Sequence, residues 1–169
     1  MPDQVIALVG SDGGCAHVSR PAATSASLLL RDLLDDQPPS AEAIEVPIPV
    51  TTGRILQFCA EHFTYRLHNK ARDIERPLKD KVINIVDEVD RALLLKWDDA
   101  TTLDVVRAAV YFNAPELLAL ASAHAASLMM DKSVDEIRLF LGLENDFTPE
   151  EIAQLSKEHN FEPTENQAS

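Results

Sequence analysis

The chain has 169 residues, 46% of them hydrophobic, enough for one domain of ordinary size with an appended element, and this excludes global disorder. Twenty-eight Asp and Glu against fifteen Lys and Arg give a formal net charge of -13, which repels phosphate backbones, argues against nucleic-acid binding and favours basic surfaces on protein partners. The apolar runs are much shorter than a membrane span, so a soluble chain without membrane partners is expected, and Cys15 and Cys59, far apart and without CxxC spacing or a signal peptide, point to a reduced intracellular compartment.

"DQVIALVGSDGGCAHVS" predicts strand, turn, strand, with Asp12-Gly13-Gly14 supplying the positive φ of a tight hairpin. "TSASLLLRDLLDD" predicts a short amphipathic helix with Leu29, Leu30, Leu33 and Leu34 on one face and Thr24 or Ser25 as its cap. "AIEVPIPV" is extended, and Pro47 and Pro49, lacking N–H groups, confine it to a sheet edge or make it leave the sheet there. "TTGRILQFCAEHFTYRL" is a helix capped by Thr51 or Thr52, its inner face carrying Ile55, Phe58, Cys59, His62, Phe63 and Leu67.

Residues 68–81 mix charges without a period and predict a mobile linker or insertion. "INIVDEVDRALLLKW" suggests a strand-like start and then a helix. "TTLDVVRAAVYFNA" gives another helix, with Leu103, Val106, Val110 and Phe112 in its packing stripe. Pro115 opens a third helix, "PELLALASAHAASLMM", whose Ala and Ser positions let a neighbouring helix come close. Two capping boxes follow, Ser133 with Glu136 and Thr148 with Glu151, the second with Pro149 at the first helical position. The short helices at 133–141 and 149–158 need Ile137, Leu141, Ile152 and Leu155 to pack against the domain or a partner. Phe161, beyond them, either faces a partner or makes a local helix-cap contact.

Chemistry is sparse. The five histidines form no HExxH or other close array, so no metal is expected. "GSDGG" lacks the context of a nucleotide loop and reads as a hairpin turn. "ENDFTPEE" lacks the ligand spacing of a calcium loop. Cys59 sits in an apolar helical pattern, as a buried small hydrophobe would. No catalytic residues, enzyme activity or cofactor are expected.

"VGSDG", "VPIPVTTGRIL", "TTLDVVRAAVYFNAPELLALA" and above all "SVDEIRLFLGLENDFTPEEIAQLSKEHNF" resemble the Skp1 family, the adaptor subunits of cullin-RING ubiquitin ligases. The resemblance runs from about Ile6 to Phe161 and is most specific at its end, where "DEIR", "NDFTPEE" and "KEHNF" keep the family's order and spacing. It implies an α/β fold: a POZ (BTB-like) domain over 1–131, with 68–81 as a flexible loop, a helical extension over 132–161 that binds F-box proteins, and a polar tail over 162–169. The extension distinguishes this pattern from the elongin C relatives. It further implies a non-enzymatic bridge between F-box substrate receptors and the cullin N-terminal region, placed in the cytoplasm and nucleus, without cofactor.

Carried over by position, the receptor-facing residues are Ile137, Leu143, Phe147, Ile152, Leu155 and Phe161, the last standing where the family has Trp. The family's cullin-facing Asn-Tyr pair falls on Val110 and Tyr111. Tyr111 matches, whereas Val110 gives up an interfacial amide. That departure sustains an alternative reading, a Skp1-like interaction protein that takes F-box-like or other partners without a cullin and self-associates; a homodimer of the unpartnered chain is compatible with either. Other departures are the mixed charge of 68–81, where the family's loop is often acidic, and Ser122 in place of a Cys. Pro149 matches a proline that some protist members hydroxylate, although its helix position already explains it.

Overall fold

The computed structural model describes residues 3–159, and Phe161, expected to face a partner or a helix cap, and the tail lie outside them. The chain divides into two compact units, Met1–Asp131 and Lys132–Ser169, and each is described by itself.

The first unit is built on a three-stranded sheet in the order β2-β1-β3. β1 (Val5–Gly10) pairs antiparallel with β2 (Cys15–Ser19) and parallel with β3 (Ile44–Ile48). The expected hairpin is present, with Gly13 at φ +77°. β3 lies at a sheet edge, as Pro47 within it requires, and Pro49 falls just beyond its end. Alternation puts Ile6, Leu8, Val18, Val46 and Ile48 into the core.

α3 (Gly53–Arg66) covers the sheet, and its start differs from the expectation. Thr52 is the N-cap residue but makes no side-chain cap bond. Asp12 of the hairpin turn supplies the acceptor instead, its Oδ1 receiving the Gly53 N–H at 2.9 Å and the Gly14 N–H at 3.0 Å. Those N–H groups, Gly53 first, hold the Asp12 carboxyl below the usual range. The turn and the helix meet so closely that a Cβ on Gly53 would stand 2.5 Å from Gly14 backbone atoms.

The single helix expected over 24–36 is two. α1 (Arg20–Ala26) and α2 (Leu28–Asp35) break at Ser27. Thr24 and Ser25 lie inside α1, and the caps are Ser19 and Ser27. Leu30 and Leu34 are core residues, while Leu33 is exposed. The strand-like start expected at 83 falls in a short helix, α4 (Val82–Ile85), followed by α5 (Glu88–Leu94), capped by the Asp87 side chain. β-branched composition there reflects burial of Val82 and Val86 rather than sheet pairing. Residues 68–81 carry no helix or strand, yet Ile74 packs against the core.

α6 (Asp99–Phe112) and α7 (Pro115–Met129) form an extensive helix pair. The packing face of α6 is rotated from the expectation. Thr101, Thr102, Val105, Ala108, Ala109 and Phe112 are buried, Leu103 and Val106 are half-buried, and Val110 is exposed. Thr and Ala fill this face because burial here is decided by closeness to α7 and α3, not by side-chain size. Trp97 is also a core residue, edge-on to Phe58 and to the His124 ring.

In the second unit, α8 (Val134–Leu141) and α9 (Pro149–His159) begin as their capping boxes require. Ser133 Oγ accepts the Glu136 N–H while Glu136 receives the Ser133 N–H, and Thr148 and Glu151 repeat the arrangement.

Candidate functional site

Two surfaces carry the residues singled out above. On the first unit, Val110 and Tyr111 close α6, 60% and 37% exposed. Asn113 follows in the left-handed region, φ 48°, and the N–H groups of Asn113 and Ala114 both reach the Ala109 carbonyl, ending the helix sharply. The end is then fixed from outside. Ser27 Oγ donates to the Phe112 carbonyl at 2.6 Å and accepts the Leu30 N–H at 3.1 Å, while the Leu28 N–H donates to the Asn113 carbonyl at 3.2 Å. The start of α2 thus satisfies carbonyls left over at the end of α6, and both helices gain a cap from one junction. Tyr111 rests edge-on against buried Phe112. The pair is a rigid, half-apolar ledge with a single hydroxyl.

In the second unit, α8 buries none of its residues. Leu139 is 81% exposed, Leu143 58% and Phe147 44%. Gly142, φ 68°, ends α8, and the Leu143 N–H turns back to the Arg138 carbonyl at 2.8 Å, so Leu143 is held at a defined cap position rather than loose in the loop. Arg138, paired with Asp135 at 3.5 Å, lies over the Phe147 ring 5.3 Å from its centroid. Lys132 lies over Phe140 in the same way. Ile137 and Leu155 are half-buried and Ile152 is buried. Leu143 and Phe147 are therefore outward, and Ile152 has little surface left to offer. Pro149 is exposed at the first position of α9.

A third feature had no signal beyond the Ala and Ser content of α7. A cleft of about 1000 Å³ opens in the first unit between α7, the end of α3, the start of α5 with Val86 and Asp87 before it, and the 70–78 segment. Ala119, Ser122, Ala123 and Ala126 line it, spaced as one helical face. The other small residues of α7, Ala121, Ala125 and Ser127, are buried in the unit. Beneath the cleft, Arg66 is enclosed and paired with both Asp87 and Asp90; burial pushes the Asp90 carboxyl up against the pull of Arg66. His62, 2% exposed, is held neutral, its pKa lowered to about 3 by burial and by Arg66. His62 Nδ1 and Arg66 Nε are buried without a hydrogen-bond partner among the described residues.

Among the described residues, no group of three or more His, Cys, Asp or Glu is placed to hold a metal ion. No described helix is long and apolar enough to cross a membrane. Cys59 is fully buried, and its thiol is pushed up to about 12 by burial. These surfaces suit protein contact: apolar side chains and aromatic faces surrounded by charge.

Comparison with known proteins agrees in kind. The model of the Skp1 family, dimerisation domain, matches residues 115–161, the stretch from α7 through α9. SKP1-like protein 13 of Arabidopsis thaliana is 29% identical over 94% of this chain and 97% of its own length. The E3 ubiquitin ligase complex SCF subunit sconC of Aspergillus clavatus is 29% identical over 92% of this chain and 96% of its own. The S-phase kinase-associated protein 1 homolog of Tetrahymena thermophila is 30% identical over 80% of both chains. With a mixed α/β fold and a likeness to such proteins along most of its length, the chain belongs to the Skp1 family.

Proposed function

We propose that this protein is a non-enzymatic adaptor that binds F-box receptors and joins them to a cullin scaffold, in the cytoplasm and nucleus. The observation that carries the reading is the outward apolar series of the second unit, Leu143 and Phe147 above all, held by helix caps in a strongly acidic chain. Exposed apolar groups in fixed geometry are what a receptor helix buries, while the surrounding charge disfavours wrong partners. The family model supports giving the receptor α7 as well, because the matched stretch begins at Pro115 and the small-residue face of α7 borders an open cleft. The names of relatives as subunits of an SCF ubiquitin ligase support the ligase setting.

On the scaffold side, Tyr111 offers an aromatic face and a hydroxyl, and Val110 offers only apolar surface. A cullin surface that expects an amide there loses a hydrogen bond, so the scaffold contact is the weaker of the two. Co-purification of the full chain with an F-box domain and with a cullin N-terminal fragment tests the reading. Binding of both is expected, and Val110→Asn should strengthen only the second. Removal of residues 133–169 should abolish receptor binding and leave the first unit folded. Receptor binding undiminished by that truncation would refute the assignment. Binding of the F-box domain alone, unchanged by Val110→Asn, would select the cullin-independent reading, which the exposed Val110 favours.

A further inference from the structure

Charge in this chain is uneven, and the exception sits on the α7 cleft. Against a net charge of -13, Lys70, Arg72 and Arg76 all line the cleft, all are exposed, and none is in an ion pair among the described residues. The acids nearby are mostly engaged: Glu75 pairs with Lys79 at 2.9 Å, and Asp87 and Asp90 hold Arg66. Asp73 and Glu116 remain, and a single Arg66 leaves one charge of the Asp87–Asp90 pair over, so the cleft as a whole is balanced and the cation surplus is confined to the 70–76 segment, where Lys70, Arg72 and Arg76 face Asp73 alone. The opposite wall is the small-residue face of α7, with Ile74 and Leu78 supplying apolar surface from the same segment as the cations.

We infer that residues 70–76 form a charge-selecting wall of the receptor-docking cleft, so that this adaptor takes receptor segments carrying acidic side chains beside their apolar face. The inference rests on the receptor reading proposed above and adds the chemistry of the partner. A helix laid along Ala119, Ser122, Ala123 and Ala126 can approach closely because no side chain there extends beyond a methyl or hydroxyl. One flank of such a helix then passes Lys70, Arg72 and Arg76, where carboxylates are attracted and lysines are repelled. Elsewhere the acidic surface repels the same carboxylates, so the wall sets register as well as affinity. A cavity of this size accommodates side chains and a backbone segment rather than a whole domain.

The test uses the full chain and two fluorescein-labelled F-box domains. They are identical except that the Asp and Glu flanking the apolar receptor helix in one are Lys in the other. Fluorescence polarisation should show the acidic probe binding about tenfold more tightly at low salt, since each exposed pair contributes a few-fold at most. The preference should shrink toward unity near 1 M salt, where the screening length is about 3 Å. In the triple variant Lys70→Glu, Arg72→Glu, Arg76→Glu it should reverse, and because all three side chains are exposed, folding should be unchanged by circular dichroism. Equal affinities for the two probes, or a preference surviving in the triple variant, would overturn the charge-selecting wall while leaving receptor docking intact. Failure of both probes to bind would overturn the receptor reading, and the inference with it.

Discussion

Ser27→Ala tests whether one buried hydroxyl holds the Val110–Tyr111 ledge. Ser27 is 1% exposed, and its Oγ makes two bonds, accepting from the Leu30 N–H at 3.1 Å and donating to the Phe112 carbonyl at 2.6 Å. Loss of a helix N-cap costs about 1 kcal/mol. Leaving a buried carbonyl without its donor costs a further ~1–3 kcal/mol. The sum, about 2–4 kcal/mol, corresponds to a fall of roughly 5–15 °C in Tm for a chain of this size. Urea unfolding followed by the fluorescence of Trp97, the one tryptophan, reads the first unit directly, since that ring is 5% exposed beside Phe58. Ser27→Thr, which keeps the hydroxyl, should recover most of the loss. Titration with a cullin N-terminal fragment, at a temperature where the variant is folded, should show weaker binding, because the end of α6 loses its external clamp. A stability loss below about 0.5 kcal/mol, within the range of ordinary surface changes, would refute the account of the junction.

Four other expectations follow from the same structure. Gly53→Ala places a Cβ 2.5 Å from Gly14 backbone atoms and should cost about 3 kcal/mol. Gly13→Ala meets nothing within 4 Å and should cost only about 1–2 kcal/mol for its positive φ, so thermal melts of the two variants should separate clearly. His62 refuses a proton in the fold that the unfolded chain accepts near its ordinary 6.5, its folded value being lowered to about 3 by burial. Stability is therefore fully present above pH 6.5 and declines as pH falls toward 3, and His62→Gln should flatten the urea midpoint between pH 6.5 and 4.5. Below about 4.5 the lowered carboxyls of Glu136 and Glu151, each held by a cap N–H, add to the decline, and far-ultraviolet circular dichroism should record fraying of α8 and α9. Thiol titration of the native protein should find Cys15 reactive and Cys59 silent until unfolding, because Cys59 is fully buried with its thiol pushed up to about 12.

Local rules written in consecutive residues were legible without coordinates. The Asp12-Gly13-Gly14 turn, the capping boxes at Ser133 and Thr148 and the proline starts at 115 and 149 each depend on side chains within a few positions of the backbone they serve. The apolar series of the C-terminal segment, and the order of residues that marks the family, were legible for the same reason. Tertiary contact decided the rest. The break at Ser27 is set by a carbonyl 85 positions away, and the cap of α3 by an aspartate 41 positions before it. Burial of Thr101 and Ala108, with exposure of Val110, depends on how closely α6 meets its neighbours. The division of α7 between a buried face and a small-residue face open to a cleft has the same origin. A linear sequence specifies which groups can bond or bury; only the fold brings distant groups within the few ångströms at which hydrogen bonds and dispersion act.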